Sequence, residues 1–192
     1  MISIDDFNPN NIKLANLIKK YDLQKDTWFA IQLNDVDSYR QIETLYSMGF
    51  NIASHTVSHA FLTEIPIEDA YYEIKDSKDI LDELTGKNTD WLVLPRGRGN
   101  EAIYEIAIKL GHKYIRTTKI HNEDFYGNES IFKKVKGGNH LSYPRKEYNG
   151  TDPFEWAKKS ELKHYWFHMF ELLKYDKMRE LEEFLIWYKE KK

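Results

Sequence analysis

Two adjacent carboxylates, Asp5 and Asp6, close a short apolar run at the start of the chain, and two imidazoles spaced four apart, His55 and His59, follow further on. Two histidines and one carboxylate can hold a divalent ion and still leave coordination positions open for water and substrate, as a catalytic site requires and a structural zinc site does not. Neighbouring residues of an extended chain point opposite ways, so one aspartate can bind the ion while the other faces the bound water as a base. The chemistry this implies is hydrolysis at a metal-bound water. Burying two adjacent carboxylates without a cation would be costly.

Elements that bring these groups together can be read from periodicity. Short apolar runs alternate with longer amphipathic stretches along the whole chain, the pattern of repeated strand-helix units. Strands are expected at Ile2–Ile4, Trp28–Leu33, Asn51–Ala53, Trp91–Leu94, Tyr114–Thr117, Ile131–Val135 and Tyr165–His168. Helices are expected at Asn11–Tyr21, Ser38–Met48, Pro66–Leu84, Glu101–Leu110, Pro153–Ser160 and Lys177–Lys189. Asp152 before Pro153 is a capped start with a first-turn proline, and Gly49 and Gly111 stop their helices as left-handed caps. The region from His121 to Thr151 is irregular, with Gly137-Gly138-Asn139 marking a loop. The chemical residues fall at strand C-terminal ends, the active-site face of a barrel. The expectation is one α/β domain over residues 1–192, an irregular (β/α)7-type barrel.

Composition narrows the field. The chain of 192 residues, 41% hydrophobic and 15% aromatic, is long enough for one substantial core. Its 28 basic and 31 acidic residues are spread out for a net charge of −3, which argues against a nucleic-acid partner. With no cysteine, any metal must be held by nitrogen and oxygen. The first apolar run is too short for a secretory signal and no stretch is long enough for a membrane span, so a cytoplasmic protein is expected. Nothing in the sequence specifies an oligomeric state.

Ile4-Asp5-Asp6 followed by His55-Thr56-Val57-Ser58-His59 resembles the first two motifs of the polysaccharide deacetylase family, the NodB-homology or carbohydrate esterase family 4 fold. Leu94-Pro95-Arg96-Gly97 is similar to its third motif and Tyr165-Trp166-Phe167-His168 to its last. The resemblance implies that Asp5 is the general base, that Asp6, His55 and His59 bind a divalent ion, usually zinc, and that His168 is the acid that protonates the leaving amine. By motif position, the N–H of Arg96 would stabilise the oxyanion. The implied partner is an N-acetylated sugar or glycan, and the products are acetate and an amino sugar.

Several positions depart from the family pattern. Phe7 replaces a glycine, and Val93 replaces an arginine that pairs with the base, so Asp5 needs another cation, with Arg145 and Arg98 as candidates. Asp152 and Trp156 have the spacing of the fourth motif and equally that of a capped helix start; Trp156 and Tyr143 are candidates to stack on a sugar ring. His164 rivals His168 as the acid. His112 reads as a surface residue, and His121 and His140 as loop histidines. Pro95, Arg96 and Arg145 complete the expected substrate contacts, and Arg96 and Arg98 flank the site where an anionic substrate group would sit. Alternative functions are an amidase or imidase acting on a non-sugar substrate, or an inactive carbohydrate-binding protein.

Overall fold

A computed structural model describes residues 1–119 and 134–192. The strands are β1 (Ile2–Asp5), β2 (Thr27–Ile31), β3 (Asn51–Ser54), β4 (Trp91–Val93), β5 (Tyr114–Arg116), β6 (Val135–Lys136), β7 (Asn139–His140) and β8 (Tyr165–His168). The helices are α1 (Asn11–Lys20), α2 (Val36–Ser47), α3 (Ile67–Thr85), α4 (Glu101–Lys109), α5 (Pro153–Lys159), α6 (Met169–Lys174) and α7 (Met178–Glu190). All strands are parallel, in the order β6-β5-β4-β3-β2-β1-β8-β7.

The two outermost strands are consecutive in the chain. Val135–Lys136 pairs with β5 and Asn139–His140 pairs with β8, so a single segment bent at Gly137-Gly138 touches both sheet edges. Counted as one strand, it brings the total to the expected seven, and the barrel is joined at this seam by chain continuity. The Gly-Gly pair expected to mark a loop is therefore the hinge of a wall strand. Residues 131–133 of the strand expected at Ile131–Val135 lie outside the described residues.

Alternation along the strands separates two interiors. Ile2, Ile4, Phe29, Ile31, Tyr165 and Phe167 face outward and pack on Leu14, Ile18, Ile42, Leu45, Leu181 and Phe184 of the helices. Leu92 and Ile115 do the same with Ile74, Ile103 and Ala107. Each such side chain, removed from water, contributes about 1.5–3 kcal/mol. On the other face, Ala30, Ala53 and Val93 cluster with Trp28 and Trp91 inside the barrel. Small side chains at mid-height leave room above them for charged groups at the strand ends.

Helix punctuation follows the sequence. Asp35 accepts from the Ser38 N–H at 2.7 Å, Asn100 from Ile103 at 3.1 Å and Asp152 from Phe154 at 2.9 Å. Helix α6, which begins directly after His168, was not expected: its six residues are too few to show a period. No described helix is long and apolar enough to cross a membrane.

His112, expected on the surface, is buried, because Gly111 at φ 96° turns the chain back and the His112 N–H bonds the Ala107 carbonyl at 3.0 Å. Burial, and then the ammonium of Lys78, push this imidazole from 6.5 down to about 4. Above pH 6.5 it is neutral both folded and unfolded. As pH falls from 6.5 to 4 the unfolded chain takes up a proton that the folded one refuses, so stability falls with it. The loss expected from this group is about 3 kcal/mol. It is measurable as a shallower pH dependence of unfolding free energy in His112→Gln; equal slopes in the two proteins would refute the assignment.

Candidate active site

The register sets the site. Asp5, the last residue of β1, lies beside Ala30 of β2 on one side and His168 of β8 on the other. The chain turns at Asp6, whose φ is 70°. Phe7, one residue on, is not among the residues with positive φ, and its N–H is held by the Gln32 side chain at 3.1 Å. The turn is thus made at Asp6, and no glycine is needed at position 7.

His55 follows β3 directly, and the segment to His59 is an irregular loop rather than a helical turn, with Thr56 and His59 at φ 64° and 61°. Such backbone costs about 1–3 kcal/mol per residue and persists only where the surroundings enforce it. Glu73 of α3 does so by accepting from the N–H groups of Val57 at 3.0 Å and Ser58 at 2.9 Å and from the Ser58 hydroxyl at 2.6 Å.

The result is a three-residue cluster. Asp6 Oδ1 lies 3.3 Å from His55 Nε2 and 3.5 Å from His59 Nε2. Ligands about 2.0–2.1 Å from a tetrahedral zinc stand roughly 3.4 Å apart, so the separations are those of an ion's coordination shell. Asp6 Oδ1 is buried and has no hydrogen-bond partner among the described residues, an orphan that a cation would satisfy. The Nδ1 of His55 is 2.7 Å from the Val93 carbonyl, which can only accept; Nδ1 therefore carries the proton and Nε2 presents a lone pair to the site. Burial would push the Asp6 carboxyl up, but the imidazoles of His55, His168 and His59 outweigh it and hold the group at about 2. Burial, then the neighbouring His55, lowers the pKa of His59 and favours its neutral, ligating form.

A second group, His140, His168 and Glu171, is also close enough to hold an ion. Its separations are those of direct hydrogen bonds: Glu171 Oε2 is 2.9 Å from His140 Nε2, 2.8 Å from His168 Nδ1 and 2.7 Å from the Ser142 hydroxyl. This group orients the His168 ring. Burial lowers the His168 pKa, but the bond to Glu171 and the charge of Asp5 outweigh it and raise the group above its ordinary value. Glu171 is held well below the usual carboxylate range by His140 and His168 despite its burial. The Nε2 of His168 is left facing Asp6 Oδ2 at 3.7 Å.

Asp5 is paired with neither of the two arginines proposed for it. Its Oδ2 accepts from Arg116 Nη2, on β5, and both groups are buried. Arg98 instead bonds Glu64 at 2.5 Å, and Arg145 donates to the Thr118 carbonyl and lies 3.6 Å from Glu147. The Arg116 guanidinium sits over the ring of Trp166 at 4.6 Å, and that ring stacks on His140 at 4.0 Å. Contact is therefore continuous from Asp5 through Arg116, Trp166, His140 and Glu171 to His168.

The loop after β4 forms the opposite wall. Pro95 is buried at the start of a tight turn, and Arg96 within it has φ 57°. The N–H groups of Gly97 and Arg98 bond back to Leu94 and Pro95, while that of Arg96 has no partner among the described residues. Gly97 is required here, because a Cβ would lie 2.3 Å from the Thr118 side chain. These groups line a cleft of about 420 Å³ containing Asp5, Asp6, His55, His59, Arg96 and His168.

Other expected residues lie elsewhere. Trp156 does not line that cleft and stacks on Tyr148 at 5.2 Å. Arg145 and Tyr143 line a neighbouring cleft of about 350 Å³ that shares Thr118 and Trp166 with the central one. His164 is buried just before β8, lies 3.1 Å from the Ser3 hydroxyl and does not line the cleft. His140, expected as a solvated loop residue, is buried at the seam. His121 lies outside the described residues.

Comparison with known proteins gives a consistent result. A model of the polysaccharide deacetylase family matches residues 1–115. The Bacillus subtilis protein YxkH, named for a polysaccharide deacetylase, is 29% identical over 124 residues, covering 62% of this chain and 44% of the relative. The Streptococcus pyogenes deacetylase PplD, solved with acetate, is 27% identical with a TM-score of 0.56 over 60% of this chain and 54% of its own. The chain thus spans about half the length of these relatives. Two further structures share the fold at 12% identity: a Streptomyces lividans family 4 carbohydrate esterase, with a TM-score of 0.68 over 98% of this chain and 88% of its own, and a Bacillus anthracis family 4 pseudoenzyme, with 0.69 over 99% and 60%.

Proposed function

Because the chain belongs to the polysaccharide deacetylase family, we propose that it removes N-acetyl groups from an amino sugar, glycan or glycan precursor, with Asp5 as base and His168 as acid. The observation that carries this reading is the register of β1 and β8, which sets Asp5 and His168 side by side next to the Asp6, His55 and His59 cluster.

Asp6, His55 and His59 would hold a divalent ion, zinc by the nature of the donors, which when bound supplies a Lewis acid for the amide carbonyl and a water of lowered pKa. Asp5 takes the proton of the attacking water. Its Oδ2 is committed to Arg116, so Oδ1, which has no partner among the described residues, is the oxygen free to accept it. The unpartnered N–H of Arg96 is placed to donate to the carbonyl oxygen as charge builds on it. An amine leaves poorly unless protonated, and His168, its protonated form favoured by Glu171 and its Nε2 facing the cleft, delivers that proton to the nitrogen.

Zinc-loaded protein incubated with chitin oligomers, peptidoglycan fragments, small linear amides and cyclic imides separates the possibilities. The expected result is one acetate per new primary amine on the glycans only, with turnover reduced about 10³-fold in Asp5→Asn. Turnover of amides or imides alone would move the activity to a non-sugar substrate. No turnover of any substrate would leave a binding protein.

A further inference from the structure

A cavity of about 730 Å³, larger than the reaction cleft of about 420 Å³, opens at the opposite end of the barrel. Trp28, Asn51 and Trp91, two residues before Ala30, Ala53 and Val93, form the lowest layer of the barrel interior and line this cavity. That end of a parallel barrel ordinarily serves stability, and plugging it needs only apolar contact. The groups here go beyond a plug. Trp28 and Trp91 are half-buried, and their indole N–H groups, which can only donate, have no acceptor among the described residues and are not buried. Asn51 donates through Nδ2 to the carbonyls of Lys25 at 3.0 Å and Thr27 at 3.2 Å, which leaves its Oδ1 open as an acceptor. Tyr46, on α2, brings a third ring to the rim, and the ammonium of Lys87 lies 5.3 Å from its centre. Neither Lys25 nor Lys87 has a carboxylate partner among the described residues, because both oxygens of Asp90, the one acid among those lining the cavity, are taken by Lys113 at 3.0 Å and Asn88 at 2.7 Å.

Aromatic rings bordered by separate donors and acceptors, with no free carboxylate, match a pyranose, whose C–H face is apolar and whose edge carries hydroxyl and acetamido groups. A wholly apolar ligand would instead strand the open indole N–H groups and the Asn51 carbonyl. We propose that this cavity is an accessory glycan site, which holds a polymer strand at the end of the barrel away from the reaction cleft. The inference rests on the deacetylase reading for the choice of a glycan and adds a second point of attachment. Two sites engaged on one polymer raise its retention and leave short sugars unaffected.

The test follows the indole N–H resonances of isotope-labelled, metal-free protein by NMR as the pentamer of N-acetylglucosamine is added, with Trp166 reporting on the reaction cleft that it lines. Trp28 and Trp91 are expected to move together along a saturation curve of their own. Tyr46→Ala, which removes a rim ring that belongs to none of the core clusters, should weaken that curve about three- to tenfold and move the Trp166 curve less than about twofold. Trp91→Phe, which keeps a ring in the barrel floor, should weaken the same curve as read at Trp28. Resonances of Trp28 and Trp91 that stay still overturn the proposal, as does a folded Tyr46→Ala that binds as its parent does. Movement with sodium phosphate and none with the sugar would mark Lys25 and Lys87 as an anion site, and the proposal falls. On zinc-loaded protein, Tyr46→Ala should raise KM about threefold for insoluble chitin and leave it unchanged for the N-acetylglucosamine dimer. Absence of acetate release would instead remove the deacetylase reading and leave the NMR titration to decide this site.

Discussion

Arg116→Met is expected to lower the unfolding free energy by about 3–5 kcal/mol, because it strands a buried carboxylate without its counter-ion. Asp5 is 3% exposed and Arg116 is fully buried, so neither can turn to water when the other is removed. The same variant should lose acetate release by about 10² or more, since the base loses the group that fixes its Oδ2. The double variant Asp5→Ala with Arg116→Met separates the two effects. Removing both charges leaves no unpaired ion, and methionine keeps an apolar contact on the Trp166 ring, so stability should return to within about 1 kcal/mol of the unchanged protein while activity stays absent. Denaturant unfolding of the four proteins of this cycle reads the result. An Arg116→Met variant as stable as its parent, or a double variant as unstable as the single, would contradict the pairing.

Glu171→Gln addresses the other half of the chemistry. Three donors converge on one carboxylate oxygen, from His140, Ser142 and His168. Glutamine preserves the shape but removes the charge that helps keep His168 protonated, and its amide oxygen orients the ring less firmly. The expected loss is about 10- to 100-fold in kcat with little change in KM, because the group acts on leaving-group protonation rather than on substrate binding. Activated esters, whose leaving groups need no proton, should be hydrolysed almost as fast by the variant as by the parent. A parallel loss on amide and ester substrates would assign Glu171 to the fold alone.

What could be read from the sequence, and what could not, follows from the range of each signal. Asp5, Asp6, His55 and His168 stand out because each closes an apolar run and carries chemistry of its own, and His59 because it repeats an imidazole four residues on. Arg116 does not, because one arginine in a three-residue strand resembles any solvated arginine; only barrel closure brings it to an aspartate 111 residues away. Glu171 had a local signal, three residues after His168, but its helix is too short to present a periodic face. His140 was hidden by Gly137-Gly138, which in sequence mark a loop and in the fold bend a strand across both sheet edges. At Asp152 the capped-helix reading prevails, since its side chain accepts from the N–H groups of Phe154 and Glu155 and Trp156 packs away from the cleft. The general rule is that residues ending strands declare themselves, whereas those that orient them depend on register and closure, which periodicity does not encode.

In the proposed reaction, Asp6, His55 and His59 hold one divalent ion that turnover requires; this requirement is open to a direct measurement. It is tested most directly by titrating zinc into exhaustively chelated protein while recording acetate release from an N-acetylated chitin oligomer. Turnover absent at the start and saturating at one equivalent of zinc, with Asp6→Ala neither binding the equivalent nor turning over, is the predicted result. Full turnover after chelation, or a saturated site that releases no acetate from any N-acetylated glycan, would contradict it.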